Sequence, residues 1–481
     1  MFNLPQSTQV LVIGGGPAGA TAATLLAREG FDVVLLERQV GPHYKIGESL
    51  LPASLEVFEL LGIREKIDAY GFQKKSGAYF EWGPLKWTFD FEEMLNSYSY
   101  QVPRKDFDHL LLNHAKSQGV QVFEGVEVRQ VLFENERPCS VNWVSRTEAG
   151  VSGELSFDFL VDGSGRSSVM MTRYLQNRQY HHDFQNLGIW GYWKNADIDK
   201  IQPKGGTASV ALDDGSGWFW AIPLSDENLS VGLVIDKSVY KEKHASASLE
   251  NIYLDAMKQC PYIAEVLESA ELVSAVKIDQ DYSYVAEKFC GSGYFLCGDA
   301  ACFLDPLLST GVHLATLSGT LAAACISSIF RNEITEAQAY DYFDRSYRHT
   351  YLRLLVMVSA FYQLVRQKDA LGAPPTTLPG MEDLGKAEEK IRMQVTTEMS
   401  KLLGFSATIF QNIEASSTQG ETHTLAMDSL FTSLWQELFS WSFPQEFGFQ
   451  AVTKPCLGVT AVDSLNSAIE ENHSVTEMAV L

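Results

Sequence analysis

Four groups of residues in this chain have the types and spacing to do chemistry. Gly14, Gly16 and Gly19 form G-x-G-x-x-G within "VLVIGGGPAG". The first glycine permits a tight turn, the second lets backbone approach a pyrophosphate, and the third lets a helix pack on a strand. Pro17 and Ala18 open that helix, whose N-terminus offers amides and a positive dipole end to phosphate. Glu37, followed by Arg38, ends the next apolar run, where a carboxylate can accept ribose hydroxyls. Far downstream, Ser309, Thr310 and Gly311 stand between Pro306 and Val312 at the mouth of another helix. Successive amides there make a nest for a small anion without a side-chain cation, and Gly311 admits the backbone conformation required. "GWFWAIPL" places Trp218 and Trp220 on one face of a strand, followed by Ile222 and Pro223. Lys75, in "GFQKKSGAYFEWG", would have a lowered pKa if desolvated. Each group has a plainer alternative: a glycine turn with no ligand, an ordinary N-cap, an aromatic strand covering a core, and an exposed lysine pair.

The elements that must position these residues follow from periodicity. "QVLVIGG" is a short apolar run ending in glycines, hence a buried strand. "PAGATAATLLAREG" has helical spacing and a glycine stop, and "DVVLLER" is a second buried strand. The opening is therefore β-α-β. "VPRKDFDHLLLNHAKSQG" reads as an amphipathic helix beginning near Lys105, with Arg104 at its entry. "FDFLVDGSGRSS" is a strand followed by a turn, and "GYFLCGDAA" a buried strand that leaves Asp299 at its end. From Gln185 to Ile235 the runs are short, alternating and aromatic, which predicts an antiparallel sheet. Leu314–Phe330 and Leu352–Val365 read as buried helices, and Asp369–Lys386, rich in Pro and Gly, as a linker or lid.

Bulk properties narrow the function classes. A chain of 481 residues exceeds one simple core. A net charge of -23 disfavours nucleic acid and anionic lipid surfaces. Seven cysteines without C-x-x-C fit reduced thiols rather than a disulfide framework or a zinc site. The N-terminal "MFNLPQSTQ" lacks the basic and apolar regions of a signal peptide, so a cytoplasmic location is expected. No uninterrupted apolar stretch is long enough for an integral membrane span. His181 and His182 are expected at the surface and His313 as a packing residue. No Ser-His-Asp grouping or H-E-x-x-H is present, and no metal is expected.

The order of the glycine motif, Arg104, "VDGSGRSS" and Asp299 over about residues 9–330 resembles the flavin monooxygenase superfamily of aromatic hydroxylases. The resemblance implies FAD. Asp299 would then meet the ribityl chain or pyrophosphate. No second glycine-rich entry for a nicotinamide is present, so electrons would come from a separate flavin reductase or a visiting nicotinamide.

Within that superfamily the spacing W-x-W-x-I-P is similar to the flavin-dependent halogenases. The resemblance implies that Trp218 and Trp220, with Ile222 and Pro223, wall the flavin off from the organic substrate. It implies chloride or bromide at Ser309, Thr310 and Gly311, with Pro306, Gly311 and Val312 also against the flavin. Gly47, Glu48 and Ser49 in "KIGESLLP" would form a strap over the isoalloxazine. Lys75, favoured over Lys74 by its distance to Phe80, would guide hypohalous acid to the substrate. One departure stands out: tryptophan halogenases carry a glutamate where this chain has Leu308. That form resembles the branch acting on phenols and pyrroles, often on a carrier protein or synthetase, and leaves any general base unidentified. The expected fold is α/β. Residues 1–75, 100–180 and 270–366 would form a discontinuous FAD-binding domain, 76–99 and 181–269 a mostly antiparallel substrate-side sheet, and 367–481 a C-terminal helical cap and tail. The expected activity is FADH2- and O2-dependent halogenation of a phenol or pyrrole in natural-product biosynthesis. A flavin hydroxylase or reductase would keep Arg104, Asp299 and the glycines without needing the tryptophan pair or Lys75. A non-catalytic flavin-bound regulator would keep only the nucleotide cradle.

Overall fold

The computed structural model describes residues 4–82, 85–366, 449–452 and 456–461. Two sheets organise them. The first is eight-stranded and runs, in order, Cys290–Gly291, Tyr294–Leu296, Ser152–Asp162, Ser7–Ile13, Val33–Glu37 and Gln121–Glu124, with Arg137–Ser145 beside Ser152–Asp162 and Val126–Glu134 beside Arg137–Ser145. Ser7–Ile13 pairs in parallel with Ser152–Asp162 on one side and Val33–Glu37 on the other. Val10–Ile13 and Val33–Leu36 are apolar and buried, as parallel strands covered on both faces require. Helix Pro17–Arg28 and the long helix Gly311–Phe330 pack against each other. Gly319 permits the approach, since a Cβ there would stand 2.5 Å from the Ala18 carbonyl oxygen. Gly311–Phe330 is long and apolar enough to cross a membrane by composition, yet nearly all of it is buried inside the protein.

The second sheet has nine strands, ordered Cys302–Phe303, Lys277–Ala286, Arg178–Lys194, Leu229–Asp236, Gly217–Pro223, Thr207–Ala211, Gly77–Trp82 and Leu85–Asp90, with Glu271–Leu272 beside Arg178–Lys194. It is antiparallel except where Thr207–Ala211 runs parallel to Gly77–Trp82. Lys277–Ala286 is a full member, so the sheet extends past residue 269. The period of two along these strands sorts their side chains. Phe219, Leu233 and Ile189 face one core, shared with the helices Leu249–Lys258 and Pro261–Val266. Trp218, Trp220, Val234 and Trp190 face the other core, toward the first sheet.

The expected helical cap and linker lie outside the described residues. What is described there is a hairpin of Phe449–Val452 and Gly458–Ala461. It is held to the long helix by Val459 N–H donating to Ser328 Oγ at 2.8 Å.

Candidate active site

Between the two sheets lies a cavity of about 460 Å³. Gly14, Gly16, Pro17, Ala18, Glu37 and Arg38 line one end. The glycines divide their work as the spacing predicts. Gly14 has φ +99°, and a Cβ on it would lie 2.4 Å from Gly163 O. A Cβ on Gly19 would lie 2.0 Å from Gly14 O, so Gly19 serves packing and stays off the cavity wall. Gly16 is different: nothing stands within 4 Å of its missing Cβ, which leaves backbone open to the cavity at the helix N-terminus. Glu37 accepts N–H bonds from Gly15 at 2.7 Å and Gln39 at 2.8 Å, which orient its carboxylate on the wall. The second turn is pinned by buried Asp162, which accepts from the amides of Ser164 at 3.0 Å and Met170 at 2.8 Å.

Gly47, Glu48 and Ser49 cross the middle of the cavity as a strap. Arg104, at the first position of helix Arg104–Ser117, donates to Ile46 O at 3.1 Å and Gly47 O at 3.3 Å. Its other nitrogens form a two-point pair with Asp108 at 2.8 and 2.9 Å. Gly47 has φ +106°, and a Cβ there would meet Arg104 Nη1 at 2.9 Å. Asp299 lines the cavity too; burial raises its pKa, opposed by Arg166, Arg104, Lys45 and Arg178. That cluster of cations suits a pyrophosphate. Arg166 and Arg178 escaped the sequence reading because only the fold brings them to Asp299.

The Ser-Thr-Gly turn is on the wall as well, with one correction to its geometry. Ser309, not Gly311, takes the left-handed conformation, at φ 58°. The Ser309 N–H is spent on Pro306 O at 2.9 Å. Thr310 is the N-cap of Gly311–Phe330 and makes no side-chain cap. The amides left for an anion are therefore those of Thr310, Gly311 and Val312, the first intrahelical bond being Leu314 N–H to Thr310 O at 2.9 Å. Nothing stands within 4 Å of the missing Gly311 Cβ, so the glycine leaves room rather than supplying an unusual φ. Thr310 Oγ1 is buried without a hydrogen-bond partner.

Trp218 and Trp220 present their indoles to this cavity together with Ile222; Pro223 closes the strand off the wall. Trp220 lies across Gly232, where a Cβ would stand 2.0 Å from the ring. Trp218 and Val234 also line a second hollow of about 300 Å³ on the far side, beside Trp82 and Asn186. Trp218 thus stands as a partition. Its Nε1–H donates to Tyr362 Oη at 2.8 Å, and Tyr362 donates to Asp305 Oδ2 at 2.7 Å. Asp305 caps Leu307 N–H at 3.0 Å, so one chain of bonds ties the partition to the turn before Ser309.

Lys75 is buried while Lys74 is exposed. Lys75 lies off the cavity wall, behind the strap, where its Nζ donates to Leu50 O at 3.3 Å and stands 5.4 Å from the Phe91 ring centre. Burial lowers its pKa to about 7. It pairs across a short ladder with Ser99, and Ser49 pairs with Gln101. Ser49 Oγ, Ser99 Oγ and Gln101 Oε1 are buried without partners. Ser99 and Gln101, beside Lys75, carry no local motif that would have flagged them, whereas Ser49 belongs to the strap the sequence pointed to. His181 corrects another expectation: it is buried, its Nε2 2.6 Å from Tyr351 Oη. His313 is a buried packing residue, its pKa lowered to about 4 by burial. No group of histidine, cysteine and carboxylate residues suited to a metal occurs among the described residues.

A two-glycine cradle with cations at a strand end defines a dinucleotide-binding oxidoreductase of the FAD type. The open backbone at Gly16 and Gly311 and the cation cluster at Asp299 fit FAD along the cavity. Known proteins carry this further. The tryptophan halogenase family model matches residues 9–97 and 93–372. A tryptophan 2-halogenase of Chondromyces crocatus is 41% identical over 421 residues, covering 82% of this chain and 80% of its own. A sulochrin halogenase of Aspergillus terreus is 36% identical over 430 residues, covering 81% and 78%. Among solved structures, the myxobacterial chondrochloren halogenase CndH superposes with TM-score 0.71 at 34% identity, over 90% of this chain and 97% of that one. The chain belongs to the flavin-dependent halogenase family, and it is an FAD enzyme that uses halide and O2.

Proposed function

We propose that this enzyme places chloride or bromide on an electron-rich aromatic ring, a phenol of tyrosine type or a pyrrole, in natural-product biosynthesis. Leu308 supports this choice. It is buried, and no carboxylate stands at that position to activate a less reactive ring. FAD, reduced by a separate flavin reductase, supplies with O2 the oxidising equivalents. The substrate is free or carried on a protein or synthetase, and the reaction runs in the cytoplasm.

The chain's own residues do the rest. The glycine cradle, Glu37 and Arg38 hold the nucleotide, Arg104 sets the strap against it, and Asp299 meets its ribityl chain or pyrophosphate. Halide sits at the Ser309-Thr310-Gly311 turn, on the amides of Thr310 and Gly311, with the Thr310 hydroxyl beside them. Trp218, Trp220 and Ile222 exclude the organic ring, so the halide is the nucleophile within reach. Hypohalous acid then passes Ser49 to Lys75, whose ammonium donates a hydrogen bond to its oxygen and sharpens the halogen as an electrophile. A lysine with pKa near 7 holds comparable amounts of donor and free amine at neutral pH.

The observation that carries this reading is the partition: Trp218 separates two hollows while a buried lysine waits behind the strap. The test is incubation with flavin reductase, NADH, O2 and halide over phenolic and pyrrolic substrates. Halogenated mass is expected, and Lys75→Ala should lower that rate about a hundredfold or more with FAD binding intact. Hydroxylated mass without halogen would overturn the reading.

A further inference from the structure

Halogenation by this route consumes a proton. One reduced FAD, one O2, one halide, one aromatic C–H and one proton give oxidised FAD, one carbon–halogen bond and two waters. The flavin and the ring carbon each lose two electrons, and O2 takes four. The proton must therefore reach the inner part of the cavity between the two sheets.

A line of hydroxyls leads there. Trp190 Nε1–H donates to Tyr44 Oη at 2.6 Å. Tyr44 Oη and Tyr192 Oη are 2.9 Å apart, and Tyr192 donates to Glu48 Oε1 at 2.7 Å. The donors fix the direction. An indole N–H only donates and an ionised carboxylate only accepts, so Tyr44 donates to Tyr192 and Tyr192 to Glu48. The outer end reaches solvent, with Tyr44 45% exposed. Tyr44 and Glu48 both line the cavity, Tyr44 at its solvent-facing rim and Glu48, 3% exposed, at the inner end of the line. Glu48 Oε2 is buried, and the Ser230 hydroxyl stands beside the carboxyl as a further donor.

We propose that Tyr44, Tyr192 and Glu48 form a proton relay that carries the consumed proton from solvent into the flavin cavity. The proposal rests on the halogenase reading above. When Glu48 gives its proton to the cavity, Tyr192 restores it, Tyr44 restores Tyr192, and water restores Tyr44. Each O–H broken is matched by one formed. The groups facing Glu48 suit this work. Burial raises its pKa to about 7, opposed by the Tyr192 and Ser230 hydroxyls and the Arg104 guanidinium and reinforced by Asp226. The carboxyl is thus partly protonated at neutral pH.

Tyr192→Phe and Tyr44→Phe keep the rings and remove the hydroxyls. The first readout uses flavin-free protein. Infrared spectra against pH follow the protonated-carboxyl band that Glu48→Gln deletes. Tyr192→Phe removes a donor that favours the anion, so the band should persist to higher pH; an unshifted titration overturns the relay. The second readout is steady-state halogenation. Tyr192→Phe should lower kcat about a hundredfold and enlarge the solvent isotope effect, with the Kd for FAD unchanged. A purely structural Tyr192 would instead weaken FAD binding without enlarging the isotope effect. If wild type halogenates and Tyr192→Phe matches it in rate and isotope effect, the relay falls and the halogenase stands. Wild-type product without halogen overturns the halogenase reading and the relay with it.

Discussion

A buried ammonium destabilises the fold that holds it, and Lys75 is the clearest case here. Its pKa falls to about 7 because burial disfavours the charge. Between that value and the ordinary lysine range the unfolded chain binds the extra proton, so folding stability gains as pH rises through this window. Below it, both states are charged and the full penalty applies. Lys75→Met should therefore raise Tm at neutral pH, with the gap to wild type narrowing as pH approaches about 10. Thermal unfolding at several pH values checks this, and a gap independent of pH would contradict it. Residue types at this scale were largely legible in sequence: Lys75 is the buried member of its pair, and Gly14 and Gly19 make the close approaches their spacing predicts. Conformation was less so. That Ser309 rather than Gly311 turns left-handed follows from the Asp305 cap and the Pro306 turn before it, which local composition does not reveal.

At the scale of elements, the strand Gly217–Pro223 shows how a simple alternation builds a wall. Phe219 goes to one core while Trp218 and Trp220 go to the other. Gly232, paired opposite Trp220, is what lets that ring lie flat across the neighbouring strand. Gly232→Ala would set a methyl 2.0 Å from the indole. Overpacking of this kind costs about 1–3 kcal/mol, so a lowered Tm is expected, together with a change in the Trp220 environment in near-ultraviolet dichroism. An unchanged Tm and spectrum would show that the ring moves aside freely. The β-α-β opening, the alternating sheet and the helix after Thr310 were readable because each is written in local periodicity. The Tyr44–Tyr192–Glu48 line and the Trp218–Tyr362–Asp305 link were not, since their members come from strands, loops and the helix that carries Tyr362 and meet only through long-range packing. His181 was misread for the same reason: its partner Tyr351 lies on a distant helix.

At the scale of the whole molecule, two sheets flank the flavin cavity and divide the labour. The first sheet supplies the glycine turns and Glu37. The second supplies the indole wall, and the long helix brings Gly311, part of the proposed halide site, to the same cavity. This arrangement makes one demand on the chemistry: activated oxygen must pass to halide and never to ring carbon. Reaction under oxygen-18 gas, with halide and an accepted phenol or pyrrole, tests that demand by product mass. The account predicts a product that carries halogen and no oxygen-18, with the label recovered in water. Oxygen-18 bonded to the aromatic ring of the product would contradict it.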